Sequence, residues 1–301
     1  MNCPSCRRPV AVARPQCLYC GAALPVAAVE AAKASAAEVA HAAAAPAARG
    51  DRVLIVVDVT GAETRTVSRA LGLSSYEASQ RVRRGGLQLL RLADAETAAK
   101  EAERLGRDGL HVARLDERAV LDASRPVLAM GGRRDDAGLD LATAAGRVRI
   151  EPGDLVLVVK GPITRENQTR DLKKALAMAV PERGYRFHLH RLSDPRPVEL
   201  DPDAFELPAA TPQSSLLVLT EWVSAVAQGV PVDNAFRLAP PALAPAQGDE
   251  GGGLKAAAAL RRKAAGSGKP DEARVVLDNL AQFRFYSAWR GSLERQRRGS
   301  A

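Results

Sequence analysis

Val53-Leu54-Ile55-Val56-Val57-Asp58-Val59 is one of the longest apolar runs in the 301-residue chain, and it has the length of a strand. A short run rich in β-branched residues is typical of a buried strand. Helical and strand patterns follow it, and Gly72 and the pair Gly85-Gly86 interrupt them. The predicted elements are helices at 64–71 and 74–84, a strand at 87–92, a helix at 95–105 and a strand at 110–115. The order βααβαβ predicts a compact α+β interaction domain over residues 51–122.

Several short motifs in this region match a known family. They are Ala70-Leu71-Gly72-Leu73, Tyr76-Glu77-Ala78, Val82 and the helix–strand pair from Asp94 to Val112. On these motifs, residues 51–117 resemble the C-terminal domain of the bacterial ribosomal stalk protein, a fold shared with the adaptor that delivers substrates to the Clp protease. In that family the domain binds protein partners and performs no catalysis. The resemblance therefore implies a protein-binding domain.

The only four cysteines of the chain form two Cys-x-x-Cys pairs within its first twenty residues, Cys3 with Cys6 and Cys17 with Cys20. Each pair places two thiolates within reach of one metal ion, and two pairs complete the tetrahedral shell of a structural zinc site. Gly21 follows the second pair directly and suits a chain reversal. We therefore predict one structural Zn²⁺ with no open coordination position, which disfavours hydrolytic zinc chemistry.

Disulfides and a thioredoxin-type redox pair are the alternatives for these cysteines. Residues 1–20 lack the apolar core of a secretory signal and contain Arg7, Arg8 and Arg14, so we expect a cytoplasmic protein in which metal binding is favoured. A redox pair needs a surrounding strand–helix–strand that so short a segment does not supply. Residues 1–25 resemble a zinc ribbon, and metal binding would supply much of the folding free energy of so small a module.

The predicted organisation is an α+β multi-domain protein. Residues 26–50 are rich in alanine with almost no large apolar side chain, which favours a partly helical tether. Residues 123–239 are predicted to form a β-rich domain with a closing helix, and residues 240–270, rich in Pro and Gly, a linker. The predicted elements of the β-rich domain are strands at 126–130, 147–150, 155–160 and 185–192, and helical patterns at 169–180 and 214–228. In outline they resemble a pleckstrin-homology-like sandwich, and an unassigned small β domain fits them better.

Residues 271–301 are predicted to form a basic amphipathic helix opened by Pro270-Asp271-Glu272. One apolar stripe recurs at spacings of three and four residues: Val276, Leu280, Phe283, Tyr286, Trp289 and Leu293. Arginines surround the stripe. Such a helix packs on the protein's own domains, docks on a partner, or binds an anionic membrane or nucleic acid. The sequence leaves these alternatives open.

His188 and His190 lie two residues apart on a predicted strand and therefore on the same face. No carboxylate or cysteine close in sequence completes a metal shell with them, and Arg186 shares the face. We predict that both are exposed strand residues. No catalytic residue set can be assigned, because the histidines are dispersed and no nucleophile motif is present.

The net charge is +8, and nearly all of the excess lies in the last fifty residues. A basic tail attracts nucleic acid, acidic protein surfaces or anionic lipid. No segment approaches the roughly 20 apolar residues of a membrane span. We predict a non-enzymatic zinc-binding adaptor or scaffold whose favoured partner is another protein. The alternative is a nucleic-acid-associated factor of translation or transcription that uses the zinc ribbon and the arginine-rich tail. An enzyme in the β-rich domain has no residue set to support it.

Overall fold

The structure is a computed structural model, and it describes residues 4–6, 16, 20–24, 50–171, 176–207, 212–237 and 274–299. The chain divides into two compact units, Met1–Ala48 and Arg49–Ala301. The predicted tether at 26–50, apart from Gly50, and the predicted linker at 240–270 lie outside the described residues.

The first sheet of the larger unit has three antiparallel strands in the order β2-β1-β3. Its strands are β1 (Val53–Asp58), β2 (Leu87–Ala93) and β3 (His111–Asp116), and the helices between them are α1 (Thr64–Leu71), α2 (Ser75–Arg84) and α3 (Ala95–Arg107). The predicted order βααβαβ is confirmed, and each boundary lies within two residues of its prediction.

Local capping signals place these helices. Gly72 ends α1 in the left-handed region, with φ of 63°. Before α2, the Ser74 hydroxyl accepts from the backbone N–H of Glu77, whose carboxylate accepts from the backbone N–H of Ser74, and the two bonds form a capping box. The Asp94 carboxylate accepts from the backbone N–H of Thr97 at the start of α3. Because these bonds join residues only three positions apart, the sequence alone locates the helix ends.

The second sheet has eight strands. They are β4 (Val127–Asp135), β5 (Gly138–Thr143), β6 (Gly146–Ile150), β7 (Leu155–Asp171), β8 (Leu176–Arg191), β9 (Val198–Leu200), β10 (Val232–Asp233) and β11 (Arg274–Asp278), accompanied by helices α4 (Glu117–Ala123), α5 (Pro212–Val226) and α6 (Leu280–Gly299). Their order is β10-β7-β8-β9-β4-β5-β6, and β11 pairs with β7. The pairs β4–β9 and β7–β10 are parallel, and the other strand pairs of this sheet are antiparallel. The described residues thus form six helices and two sheets, an α+β architecture.

Helix α6 packs against both sheets. Phe285, Trp289 and Leu293 pack against Leu54 and Val56 of β1, on the face of the first sheet opposite the one that α1 and α3 cover. The start of the helix packs against the second sheet, where Phe283 is buried against Val156, Val159 and Ile163 of β7. The predicted apolar stripe therefore packs on the protein's own sheets.

Helix α5 covers the other face of the second sheet. Leu219 and Val223 pack with Phe187 and Leu189 of β8, while His188 between them faces α6. Because successive residues of a strand point to opposite faces, β8 contributes to two separate layers. The second sheet therefore lies between α5 and α6.

Two predicted helical segments are wrong. Of the segment 169–180, residues 169–171 belong to β7 and residues 176–180 to β8, and these strands pair from Leu155 opposite Arg191 to Asp171 opposite Leu176. The C-terminal helix begins at Leu280, not at 271, and residues 274–278 form β11 beside β7. In both places the long strand β7 supplies backbone hydrogen-bond partners to the neighbouring strand, β8 or β11. This tertiary pairing overrides a weak local helical preference. The Asp278 carboxylate accepts from the backbone N–H of Leu280 at the true start of α6.

Among the described residues, no helix combines the length and the apolar character needed to cross a bilayer.

Candidate functional site

His188 and His190 of β8 are fully buried, so the prediction that they are exposed is wrong. Helix α6 covers the face of the sheet that both residues share, and the contacting residue, Ser287, lies 99 and 97 positions further along the chain. No local pattern indicates this burial. It follows from the docking of a helix that is remote in sequence.

The histidines belong to a hydrogen-bonded chain that joins α6 to β8 and β9. Ser287 Oγ lies 2.8 Å from His188 Nδ1 and 2.7 Å from His190 Nε2. His188 Nε2 lies 2.9 Å from Glu199 Oε2, and Arg284 donates to both oxygens of Glu199 at 2.8 Å. An ionised carboxylate only accepts, so His188 donates through Nε2 and accepts at Nδ1 from the Ser287 hydroxyl. The Ser287 oxygen then accepts from His190 Nε2.

Burial and hydrogen bonds together set the charges of this network. Burial alone would raise the pKa of Glu199, but the bonds from Arg284 and His188 outweigh burial and lower this pKa to about 2. Burial lowers the pKa of His188, although Glu199 acts in the opposite direction. Burial and the neighbouring His188 and arginines lower the pKa of His190 well below its ordinary value. At neutral pH both imidazoles are therefore neutral and Glu199 is charged.

The order Ser287, His188, Glu199 has the polarity of a nucleophile, its base and an orienting carboxylate. Such a site needs access for a substrate, and neither Ser287 nor His188 has solvent-exposed surface. The Ser287 oxygen is also engaged by His190. In this structure the network holds α6 against the second sheet.

Gly291 allows α6 to approach β8 at this point. A Cβ placed on Gly291 would lie 2.1 Å from His190 Nδ1 and 2.5 Å from its Cε1. Only glycine leaves room for the imidazole ring. The sequence showed Gly291 as an ordinary helix residue, because the ring that requires it belongs to another element.

A cleft of about 420 Å³ lies beside the other side of α6. Its walls are the end of α2 with the start of β2, residues 231–237, and the first half of α6. Apolar and aromatic residues line much of it: Leu87, Leu89, Leu157, Phe285, Tyr286 and Trp289. Its volume falls within the range of ligand-binding clefts, roughly 300–1,000 Å³.

Arginines from three segments line this cleft: Arg81 and Arg84 from α2, Arg237 from the opposite wall, and Arg290 from α6. Arg290 forms an ion pair with Asp233 and lies over the ring of Trp289, with its guanidinium carbon 5.6 Å from the ring centroid. Within the described part of the chain, Arg81, Arg84 and Arg237 form no ion pair, although Glu77 on the same helix attracts the charge of Arg81. Four arginines and one carboxylate of the described residues line the cleft, which therefore carries a net positive charge.

Asp233 is the one carboxylate among the described residues that line the cleft. It is buried and accepts from the Tyr286 hydroxyl at 2.9 Å and 3.0 Å as well as pairing with Arg290. Burial and the charge of Asp233 raise the pKa of Tyr286, so the phenol remains a donor. Asp233 is thus occupied by its own neighbours.

Gln88 organises the end of α2 next to the cleft. Its side-chain amide donates to the backbone carbonyls of Arg81 at 2.9 Å and Gly85 at 3.1 Å, and the Arg81 carbonyl also accepts from the backbone N–H of Gly85. Burial and the nearby Arg84 lower the pKa of Arg81. Sequence reasoning missed these cleft residues, because no motif connects three distant segments.

Of the predicted zinc ligands, Cys3 and Cys17 lie outside the described residues, whereas Cys6 and Cys20 are described. Pro4, Ser5 and Cys6 form a turn, and an antiparallel bridge between Gln16 and Ala23 brackets the second Cys-x-x-Cys pair. Gly21 has φ of 72°, as a chain reversal requires. Among the described residues, no group of three or more His, Cys, Asp or Glu is placed to hold a metal ion. The zinc site stays a prediction.

Comparison of the chain with protein-family models, with curated proteins and with solved structures found no match.

Proposed function

We propose that the chain is a non-enzymatic adaptor that binds an acidic segment of another protein in the arginine-lined cleft. The observation that carries the proposal is the charge of the cleft: arginines enter from separate walls, and the only lining carboxylate among the described residues is already paired. Arginine clusters recognise acidic or phosphorylated motifs, and Arg, Tyr and Trp are the residues enriched where proteins bind one another.

The apolar lining supports a peptide rather than a small inorganic ion. Leu87 and Leu89 offer partly exposed surface beside the arginines, and Phe285 and Trp289 form the floor that α6 supplies. A segment that carries acidic side chains next to apolar ones matches both parts of the lining. The floor belongs to a helix fixed on two sheets, so the cleft is held in shape before a partner binds.

Three arginines of the predicted basic tail form ion pairs within the chain, which favours a protein partner over nucleic acid. Arg284 pairs with Glu199, Arg290 with Asp233 and Arg298 with Glu294. Paired arginines contribute less to phosphate binding, which depends on the number of phosphates neutralised. These three arginines of the tail are therefore less available to a nucleic-acid phosphate.

A charge reversal at Arg84 tests the cleft. Arg84 lines the cleft and is exposed, so Arg84→Glu is expected to keep the fold and to weaken binding of a fluorescently labelled acidic peptide about tenfold or more, since like charges then face each other. Fluorescence anisotropy titrations measure the affinity.

Arg83→Glu is the matched control, because Arg83 is exposed on the same helix and does not line the cleft. It makes the same change in net charge and is expected to leave the affinity nearly unchanged. Equal weakening by both variants would show that the peptide responds only to overall charge. A labelled RNA that binds tightly and depends on Arg84 would instead favour the nucleic-acid alternative.

The second part of the proposal is a structural zinc ion in the smaller unit, held by the thiolates of Cys3, Cys6, Cys17 and Cys20. The spacing of the two pairs and the turn residues around them support it. Metal analysis of the purified chain is expected to return about one zinc per molecule, and a Cys17→Ser/Cys20→Ser variant is expected to lose it. Metal-free protein with the cysteines joined as disulfides would contradict the assignment.

A further inference from the structure

We propose that Arg81, Arg84 and Arg237 hold a phosphate monoester, so that the cleft selects a phosphorylated side chain of the bound segment. This inference rests on the proposed function, because it names the acidic group that the cleft recognises in its protein partner. The placement of the guanidinium groups, the shortage of free acceptors around them and the charge of the cleft support it.

The guanidinium groups lie on two facing walls of the cleft. Arg81 and Arg84 are three residues apart on α2 and therefore neighbours on its surface, and Arg237 enters from the facing wall. The guanidinium group of Arg237 donates through Nη1 to the backbone carbonyl of Phe236 at 2.6 Å. This bond holds the guanidinium group in place and leaves its other N–H groups to bind a ligand. A ligand between these walls is approached by cations from both sides.

Few hydrogen-bond acceptors near the arginines are free to bind them. The side chain of Gln88 occupies the end carbonyls of α2, and Asp233 is occupied by Tyr286 and Arg290. The arginines are therefore left with donors in excess. Arginine presents a planar fork of donors that matches the oxygens of a phosphate, and it cannot relieve its charge by losing a proton.

The positive charge of the cleft favours a ligand group with more than one negative charge. A carboxylate brings one negative charge, whereas a phosphate monoester brings about −1.5 to −2 at pH 7 and three strong acceptor oxygens. A lining with four arginines and one carboxylate is better balanced by the phosphate. The partial burial of Arg81 and the lowered pKa that accompanies it agree with this, because an anion placed there would relieve the penalty of burying the cation.

The test compares three labelled peptides that differ at one position, which is phosphoserine, glutamate or serine. The wild-type chain is expected to bind the phosphopeptide at least about tenfold more tightly than the serine peptide and several-fold more tightly than the glutamate peptide. Arg84→Glu and Arg237→Glu, which change opposite walls of the cleft, are each expected to remove this preference. Arg83→Glu is expected to keep it.

The outcomes separate this inference from the proposed function. If the phosphoserine and glutamate peptides bind equally and both depend on Arg84, phosphate selection is overturned and the acidic-segment proposal stands. If none of the peptides binds, both are overturned. If adenosine monophosphate, added as a competitor, binds as tightly as the phosphopeptide, the site recognises a nucleotide and the phosphorylated protein segment is overturned as its ligand.

Discussion

Replacing Gly291 with alanine is expected to destabilise the unit formed by residues 49–301 by about 2–4 kcal/mol. In an ordinary helix interior this change stabilises by up to about 1 kcal/mol, because alanine is the better helix former. Here the new Cβ would lie 2.1 Å from His190 Nδ1. The ring cannot move away without losing its hydrogen bond to Ser287, so either α6 shifts or the buried network breaks. Urea unfolding followed by circular dichroism measures the change.

Gly106→Ala is the matched control for this prediction. Gly106 also lies in a helix, α3, and a Cβ there would meet no atom within 4 Å. We expect that variant to be equal to or more stable than the wild type. A second test adds His190→Ala to Gly291→Ala, which removes the ring that the new methyl group meets. The double variant is expected to be more stable than Gly291→Ala alone. Wild-type stability in Gly291→Ala would mean that α6 and β8 are further apart than described.

Acidification is also expected to lower the free energy of unfolding strongly, because the folded network takes up protons less readily than the unfolded chain. In the folded chain, burial lowers the pKa of His188 and His190 below the ordinary value of 6.5. The unfolded state therefore binds more protons than the folded state as the pH falls below about 6.5, and stability decreases over that range. Over part of this range the folded chain keeps both histidines neutral, whereas the unfolded chain protonates them.

Glu199 adds a second loss at lower pH. Hydrogen bonds from Arg284 and His188 overcome the effect of burial and lower the pKa of Glu199 from 4.5 to about 2. The folded state therefore keeps this carboxylate charged after the unfolded state has protonated it. Stability falls between pH 4.5 and about 2, by roughly 3 kcal/mol in total, since one pKa unit corresponds to about 1.4 kcal/mol. Urea midpoints measured at a series of pH values between 7 and 3 test both losses.

Glu199→Gln separates the two contributions. This variant leaves Arg284 without its carboxylate and removes one of the two carboxylates that pair with Arg186, so it is expected to be less stable at pH 7 and to lack the loss below pH 4.5. Asp140→Asn is the control, since Asp140 also pairs with two arginines, Arg133 and Arg147, but in an ion-pair cluster at the surface. Its pH profile is expected to follow that of the wild type. A wild-type stability that stays constant from pH 7 to pH 5 would contradict the buried neutral histidines.

The first half of the larger unit shows how far local sequence signals reach. The ends of α1, α2 and α3 follow from Gly72, from the Ser74–Glu77 capping box and from Asp94, each of which acts within one turn of its own helix. Segment 169–180 shows the limit. Its small and apolar residues are compatible with a helix, and only the pairing of β7 with β8 places residues 169–171 and 176–180 in strands.

The candidate sites lie beyond that limit. His188 and His190 were visible in the sequence as a pair on one strand face, but their burial and their partners depend on Ser287 and Glu199, which belong to other elements. The cleft arginines belong to three segments, so no spacing along the chain brings them together. Both sites arise from the position of α6.

The sequence by itself determined the βααβαβ order, the helix boundaries within it and the apolar stripe of the C-terminal helix, because propensity, capping and periodicity act between residues a few positions apart. Only the tertiary structure decided that this stripe packs between two sheets, that two histidines are buried and neutral, and that arginines from three distant segments share one cleft. The physical reason is that burial and electrostatic environment are set by whichever element packs against a residue, and that element lies up to about 200 residues away in this chain.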